Sequence, residues 1–355
     1  MKASMKPTMA HPFPRIGLTV ATLSLLAALA LPLVVHNPSM LNLAVLALMA
    51  AQVGVAWNIV GGQAGQVSLG HAAFFGIGAY TSTLLSLKLG ISPWIGLPAG
   101  GLLAALLSVA FGWSCFRLRG HYFAMATIAV AELTQIFFTN WEFAGASVGL
   151  NLTMDREGWA WLNFAGKLPY YWLALGLLAL TLLAAFCIER SYLGYYFRAI
   201  KDEPEAARSI GIDIARYKQV ALAVSAFFTA LGGGLYAHKE FYIDPGSVLS
   251  TALSIKMALV AILGGIGTLS GPVLGALVLT LIEEASRMLF GGTGSGIDIV
   301  LYALLIVLIA VFYPAGLVGS IRDMTLRARQ RWRRRQAAAT AGTAATAAAA
   351  EGSRP

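Results

Sequence analysis

The sequence predicts an all-α fold: a polytopic transmembrane helical bundle of about ten spans with both termini in the cytoplasm. Of its 355 residues, 58% are hydrophobic and 12% are charged, whereas soluble domains have roughly 25% charged residues. The apolar residues form runs of about 18 to 25 residues, the length that crosses ~30 Å of hydrocarbon. These runs are continuous rather than alternating, so they predict helices and exclude the strands of a β-barrel.

Ten apolar runs meet this length criterion approximately. They cover residues 17–35, 40–60, 66–87, 93–116, 121–139, 170–188, 218–237, 253–268, 272–290 and 297–318. The pair 253–268 and 272–290 is open to a second interpretation, because the glycines between the two runs could form a re-entrant turn. That alternative would lower the number of spans and leave the assigned sides of the membrane unchanged.

By composition the chain has three parts. Residues 1–16 are a short cytoplasmic segment, residues 17–320 form the transmembrane domain, and residues 321–355 are a basic, then Ala-rich cytoplasmic tail. The composition of the tail predicts a disordered or weakly helical segment. The first apolar run contains the small-residue pattern of a signal-peptide cleavage site at residues 28–30. Its apolar stretch is longer than a typical signal core, which favours a retained span.

Basic residues cluster on one predicted side of the membrane. With an even number of spans, four clusters and the C-terminal Arg354 share that side and hold 19 of the 25 Lys and Arg residues. This bias is typical of cytoplasmic loops and assigns the polar segment 189–217 to the cytoplasm. The net charge of +9 therefore needs no nucleic-acid partner, which would require basic and aromatic residues interleaved on a soluble face. The clusters are residues 2–15, 117–119, 190–218 and 322–335.

A short helix is predicted inside this cytoplasmic segment, over about residues 203–210. Asp202 or Glu203 can cap its start, and Pro204 suits the first turn of a helix. Gly211 suits the left-handed residue that ends one. The helix is therefore bounded by turns on both sides.

This short helix is predicted to be a docking element for another protein. Its small residues Ala206 and Ala207 permit close approach of a partner surface. The alternative is an ordinary solvated helix between two spans, since capped helices are common in loops. The charged side chains around this contact surface are Arg198, Lys201, Glu205 and Arg208.

The spacing of Glu205, Ala206 and Ala207, followed after three residues by Gly211, resembles the EAA loop of ABC importer permeases. In that family the loop is the coupling segment that seats in a groove of the ATP-hydrolysing subunit. The resemblance extends over the flanking RAIKDEPEAARSIGID, and the pattern occurs once. It implies that residues 189–217 form a coupling loop.

A glycine-rich segment, GGQAGQVSLGHAAFFGIGAY, covers residues 61–80. Gly70 and Gly78 lie on or beside one helical stripe, which favours close packing of a neighbouring helix. Polar side chains at membrane depth are costly, so the functional alternative is that they face a translocation pathway or gate. The polar side chains of this segment are Gln63, Gln66, Ser68 and His71.

Other polar groups lie within the apolar runs. Glu132 and Gln135 project to nearly the same side of their helix, and either a pathway role or a structural hydrogen-bonded pair accounts for them. Glu283 and Glu284 precede Arg287 closely enough for a local ion pair. A second set of glycines is assigned to helix packing at the 264–272 turn, namely Gly264, Gly265, Gly267 and Gly271.

Three segments together resemble the branched-chain amino-acid ABC transporter permeases of the LivM type. They are GGQAGQVSLGHAAFFGIGAYT, the coupling loop with the following SAFFTALGGGLYA, and KMALVAILGGIGTLSGPVLGA. The resemblance covers about residues 57–320 and implies an importer of leucine, isoleucine or valine in the bacterial inner membrane. Related permeases carry urea, short amides or other amino acids, so these substrates remain alternatives.

The resemblance also implies partners: two ABC ATPase subunits, a sister permease and a periplasmic substrate-binding protein. The chain has no G-x-x-x-x-G-K-[ST] phosphate-binding sequence, so ATP is expected to bind to the partner subunits. Neither a catalytic set nor a metal site is predicted, because the five histidines are scattered over the ends of different runs. Two other classes stay open: an ion-coupled secondary transporter, which would work alone, and, less favoured, an intramembrane enzyme.

Overall fold

The computed structural model describes residue 32 and residues 37–116, 118, 120–152, 157–290 and 316–319. Within these residues, seven helical stretches are long and apolar enough to cross a membrane. They are Pro38–Gln63, His71–Leu89, Pro93–Cys115, His121–Asn140, Leu168–Arg190, Ile214–Glu240 and Pro245–Gly265. The protein is therefore an all-helical, polytopic membrane protein.

Between residues 37 and 290 of the described chain, eleven α-helices follow one another as α1 to α11. The first five are α1 Pro38–Asn58, α2 His71–Leu89, α3 Pro93–Cys115, α4 His121–Asn140 and α5 Leu168–Arg190. The coupling loop and the span after it form α6 Tyr192–Asp202, α7 Pro204–Ser209 and α8 Ile214–Glu240. The last three are α9 Pro245–Val248, α10 Thr251–Gly265 and α11 Gly271–Phe290. A π-helix, Ile59–Gln63, extends α1, and two short strands, β1 Leu150–Asn151 and β2 Tyr242–Ile243, pair antiparallel.

Local capping chemistry sets the starts of several helices. Asn37 accepts a hydrogen bond from the backbone N–H of Ser39 at 2.9 Å, and Pro38 occupies the first turn of α1. Asp213 accepts from the backbone N–H of Arg216 at 3.1 Å at the start of α8. Such side chains satisfy N–H groups that a helix leaves without an internal partner.

Helices α2, α3 and α8 form one tightly packed group. A Cβ atom at Gly78 of α2 would overlap the backbone of Ala230 in α8, and one at Gly233 would overlap the backbone of Phe75. The two helices therefore touch backbone to backbone, which only small residues permit. Helix α4 contributes fewer contacts and lies at the edge of this group.

Helices α5, α10 and α11 pack against α1. Helix α1 also contacts α8, so it joins this second group to the first. The turn between α10 and α11 is similarly close-packed, because a Cβ atom at Gly264 would overlap the backbone of Gly271. Gly70, at the start of α2, lies in the same way against the carbonyl group of Thr127 in α4.

The two ends of the bundle are distinct. At one end, β1 follows α4 and pairs with β2, which directly follows α8. At the other end lie α6 and α7, and the turn between α10 and α11 meets α6 there. The segment 245–265 therefore connects opposite ends of the bundle, which supports a full crossing over the re-entrant alternative.

Eight of the ten predicted apolar runs coincide with helices, and α11 is the one that falls outside the seven stretches above. Helix α11 carries Glu283, Glu284 and Arg287 in its second half, which explains its lower apolar character. The prediction that a span begins at residue 66 was wrong. Helix α2 begins at His71, because Gly65 adopts a left-handed φ of +70° and residues 64–70 form a loop.

Several predictions fall on residues that the structure leaves undescribed. They are the segment 1–16, nearly all of the runs 17–35 and 297–318, the basic residues Arg117 and Arg119, and the tail 321–355.

Candidate functional site

The coupling loop folds into two helices rather than one. The predicted short helix is present as α7, Pro204–Ser209, with Pro204 in its first turn. The helix before it, α6, was not predicted. It is amphipathic and buries Gly194, Phe197 and Ile200 against the bundle, so it is a platform that holds α7.

The boundaries of α7 are set mainly by its backbone. Glu203 occupies the N-cap position, but neither it nor Asp202 makes the predicted side-chain cap. At the other end, Gly211 has a φ of +89° and donates its backbone N–H to the carbonyl of Arg208 at 3.0 Å. This left-handed conformation is the one in which glycine avoids the steric cost that other residues meet.

The two alanines of the EAA pattern differ in exposure. Ala207 is buried at 2% exposure, whereas Ala206 is exposed. Glu205 and Arg208 form an ion pair of 3.6 Å, with about 60% of each side chain exposed. An ion pair so exposed contributes little stability. The outer face of α7 thus offers a small apolar contact beside one positive and one negative group.

The other two basic residues of the predicted set are used within the chain. Arg198 donates from Nη2 to the backbone carbonyl of Glu189 at 2.9 Å, and so fastens α6 to the end of α5. Lys201 donates from Nζ to the backbone carbonyl of Gly62 at 2.8 Å. Gly62 belongs to the π-helix at the end of α1, so Lys201 connects the coupling loop to the first described span.

The second glycine-rich segment meets the first at this point. Asn58 of α1 donates from Nδ2 to the carbonyl of Thr268 at 2.9 Å and accepts from the backbone N–H of Gly267 at 2.8 Å. A Cβ atom at Gly267 would lie 3.0 Å from Lys201 Nζ and 3.0 Å from the Gly62 carbonyl oxygen. The three sequence segments that resemble one family therefore converge at one place in the fold.

Glycine is required at this junction for two reasons. A Cβ atom at Gly62 would overlap the side chain of Asn58. Gly265 and Gly267 have φ values of +131° and +78°, which side chains rarely permit. Any larger residue would separate α1 from the α10–α11 turn.

Ser68 and His71 lie in a buried hydrogen-bond network beside the junction. The Ser225 hydroxyl donates to the Ala56 carbonyl at 2.6 Å. Because its one proton is used in that bond, the same hydroxyl accepts a hydrogen bond from His71 Nε2 at 2.9 Å. His71 Nδ1 then accepts from Ser68 Oγ at 3.1 Å. This network binds the start of α2 and the middle of α8 to the end of α1.

The remaining predicted polar residues are more dispersed. Gln66 is half-buried and donates to its neighbour, Gly65. Gln63 donates weakly to the carbonyl of Ala185, at 3.5 Å, and its Oε1 atom is buried without a hydrogen-bond partner among the described residues. Glu132 is exposed on α4 and accepts a hydrogen bond from Thr251, and Gln135 is half-buried one turn away.

Sequence reasoning missed two residues of this region. Asn58 is 2% exposed and lies inside an apolar run, and its position just before the glycine pair is the signal that could have identified it. Ser225 looks like a small packing residue in the sequence, and only the fold brings it to His71. In the described part of the chain, no cluster of three or more His, Cys, Asp or Glu residues could hold a metal ion.

Comparison with known proteins identifies the family. The family described as "Branched-chain amino acid transport system / permease component" matches residues 39–309. The chain belongs to this family. It is therefore a multi-pass permease of the bacterial inner membrane and a transport subunit without a catalytic domain.

Individual relatives agree with this branched-chain permease family. The chain is similar to the high-affinity branched-chain amino acid transport system permease protein LivM of Escherichia coli, with 30% identity over 84% of this chain and 74% of the relative. It is 26% identical to LivH of Salmonella typhimurium over 76% of this chain and 91% of the relative. A shorter match, 30% identical over 34% of this chain and 35% of the relative, is to the autoinducer 2 import permease LsrC of Klebsiella pneumoniae. No solved structure matches the chain significantly.

Proposed function

We propose that this permease imports branched-chain amino acids and is driven by two separate ABC ATPase subunits that dock on α7. A sister permease completes the pathway, and a periplasmic binding protein delivers the substrate. The related permeases LivM and LivH are both named for branched-chain amino acid transport, which supports this substrate class.

The observation that carries the proposal is the connection between α7 and the spans. The α7 helix presents Ala206 outward and buries Ala207. Through α6, the Lys201–Gly62 hydrogen bond joins it to α1, and Asn58 joins α1 to the α10–α11 turn. A partner that displaced α7 would thus act on the three helices α1, α10 and α11 through short hydrogen bonds.

We propose that the coupling loop, residues 189–217, and both termini lie in the cytoplasm. The bias of basic residues supports this orientation. On this topology the transmembrane domain is residues 17–320, with about ten spans, and residues 1–16 and 321–355 are cytoplasmic. The β1–β2 end of the bundle then faces the periplasm.

The mechanism we propose is alternating access. ATP-driven closure of the ATPases moves α7, and the junction at Gly62 and Gly267 passes this movement to α1, α10 and α11. The buried Ser68–His71–Ser225 network keeps α1, α2 and α8 together as one body during the movement. Burial of Ser68 and His71 supports this positioning role over direct exposure to a pathway.

The experiment that tests this proposal is reconstitution. The permease is assembled with its sister permease, the two ATPases and the binding protein in proteoliposomes, and uptake of radiolabelled leucine is measured. We expect uptake that requires ATP and stops when the ATPases are omitted. Leucine uptake by this chain alone under an ion gradient would refute the proposal in favour of a secondary transporter. Uptake of urea or a short amide in place of leucine would refute the substrate assignment.

A further inference from the structure

A charged cavity lies between α1, α8, α10 and α11, toward the end of the bundle that carries β1 and β2. Its volume is about 310 Å³, at the lower end of the range of small-molecule sites in proteins. This size suits one small metabolite. The charged side chains on its wall are Glu240, Lys256, Glu283, Glu284 and Arg287.

Four of these charges are paired with one another, and the fifth, Glu240, pairs with Lys239. Lys256 Nζ lies 2.6 Å from Glu283 Oε2, and about one third of each side chain is exposed. Arg287 lies 3.3 Å from Glu284 and 3.9 Å from Glu283. Charged groups within transmembrane helices are costly and frequently mark a substrate or ion pathway. Partial exposure leaves these pairs within reach of a ligand.

Another part of the wall of the same cavity is apolar. Met49 and Val53 of α1, Phe75 of α2 and Val260 of α10 line it, and each is less than 10% exposed. The cavity therefore combines a wall of both charge signs with a wall that favours aliphatic groups. A ligand that satisfies both walls must be zwitterionic at one end and apolar at the other.

We propose that this cavity is a transit site for the substrate, which it binds as an aliphatic α-amino acid. The carboxylate pairs with Lys256, the ammonium group pairs with Glu283, and the aliphatic side chain contacts the α1 wall. This inference rests on the proposed function, because it names the step at which this chain itself touches the amino acid.

Charge balance favours a zwitterion over a simple ion. Insertion of one positive and one negative group between Lys256 and Glu283 replaces one ion pair by two, so no charge is left unpaired. A lone cation on Glu283 would leave Lys256 without its counter-charge, and a lone anion on Lys256 would leave Glu283 only its longer contact with Arg287, at 3.9 Å. Loss of an ion pair within a membrane-spanning bundle is costly. An uncharged amide or urea would separate the pair without replacing either charge.

The test uses the complete importer in proteoliposomes and three changes in the cavity: Lys256→Met, Glu283→Gln, and the charge exchange of Lys256→Glu with Glu283→Lys. Leucine uptake and its KM are measured together with the thermal stability of the purified complex and with binding-protein-stimulated ATP hydrolysis. The matched control is Lys88→Met, which removes an exposed cation at the same end of the bundle.

We expect each single change to raise the KM or lower leucine uptake at least ~10-fold, the effect of losing one charged hydrogen bond, while ATP hydrolysis continues. The charge exchange restores the ion pair but brings a second cation beside Arg287, so it should recover only part of the stability. It should not recover uptake, because a reversed amino acid would turn its side chain away from the apolar wall. Lys88→Met should transport normally.

Two results would overturn the inference. Unchanged uptake and KM in Lys256→Met and Glu283→Gln would exclude contact with the substrate. Full recovery of uptake by the charge exchange would show that the pair is structural only. Failure of the proposed function is distinguishable from both, since the unchanged complex would then take up no leucine with ATP.

Discussion

Replacement of Lys201 by Met is the most direct test of how α7 is connected to the spans. The change removes the 2.8 Å hydrogen bond from Lys201 Nζ to the carbonyl of Gly62. It retains most of the length and apolar character of the side chain, whose Cβ and Cγ atoms lie beside Gly65. The Gly62 carbonyl loses its charged donor.

The magnitude follows from the exposure of this bond. Hydrogen bonds to charged groups contribute about 1.5–3 kcal/mol. Lys201 is exposed and its charge is screened by water, so the lower end of that range applies, ~1.5 kcal/mol or roughly tenfold in an equilibrium constant. We therefore expect ATP-dependent leucine uptake to fall about tenfold. The outer face of α7 is unchanged, so the ATPases should still co-purify.

The assay compares uptake per complex in proteoliposomes for the unchanged protein, Lys201→Met and the control Arg216→Met. Arg216 is an exposed basic residue near the start of α8, so its replacement removes the same charge from the same end of the bundle. Uptake by Lys201→Met equal to that of the control would refute the role of this bond. Loss of ATPase co-purification would also refute it, because the defect would then lie in docking.

Three further changes test the local geometry. Gly211→Val places a β-branched residue at a φ of +89°, at a cost of about 1–2 kcal/mol. Less ATPase should therefore co-purify with it than with Gly211→Asn, because asparagine tolerates that conformation. Equal amounts of co-purified ATPase would contradict this prediction. Gly78→Leu should destabilise the detergent-purified protein by about 1–3 kcal/mol through overpacking. The control Gly176→Leu should not, because a Cβ atom there meets nothing within 4 Å. Equal melting temperatures for the two variants would argue against the close packing at Gly78. Ser225→Ala leaves His71 Nε2 without its acceptor and should cost about 1–3 kcal/mol of stability without affecting ATPase co-purification; an unchanged melting temperature would show that the network contributes nothing.

Sequence reasoning works best where the signal is local. Helix α7 is bounded by Pro204 and Gly211. Proline fixes its own φ at a helical value, and glycine permits the positive φ that ends the helix. The apolar runs likewise predict the spans, because lipid requires each span to satisfy its own backbone hydrogen bonds. The start of α2 was misplaced because the signal there is weak. Gly65 interrupts helical geometry, and the polar residues after it show no helical periodicity.

The junction could not be predicted, because its contacts join distant parts of the chain. Lys201 bonds to a residue 139 positions away and Asn58 to one 210 positions away. Composition identifies glycine-rich segments, but only the fold shows that two of them meet. Lys201 was predicted as a docking charge for the same reason, since its partner is a backbone carbonyl that no side-chain pattern reveals.

A similar limit explains the charged cavity. The local spacing of Glu283 and Arg287 in the sequence predicts their ion pair, which the structure contains. The fold adds an apolar wall from α1, which is more than 200 positions away in sequence. An ion pair beside an aliphatic wall has a ligand chemistry that neither feature has alone.

The size of α7 supports a rigid connection between docking and transport. A helix of six residues has no stability of its own in water, because nucleation outweighs so few hydrogen bonds. Its position must come from the buried Ala207, from α6, and from the left-handed turn at Gly211. A partner that moves α7 therefore has to move α6 as well or break those contacts. Helix α6 buries Phe197 and Ile200 in the bundle and bonds to α1 through Lys201. We therefore expect a displaced α7 to move α6 and the attached spans together rather than to break these contacts.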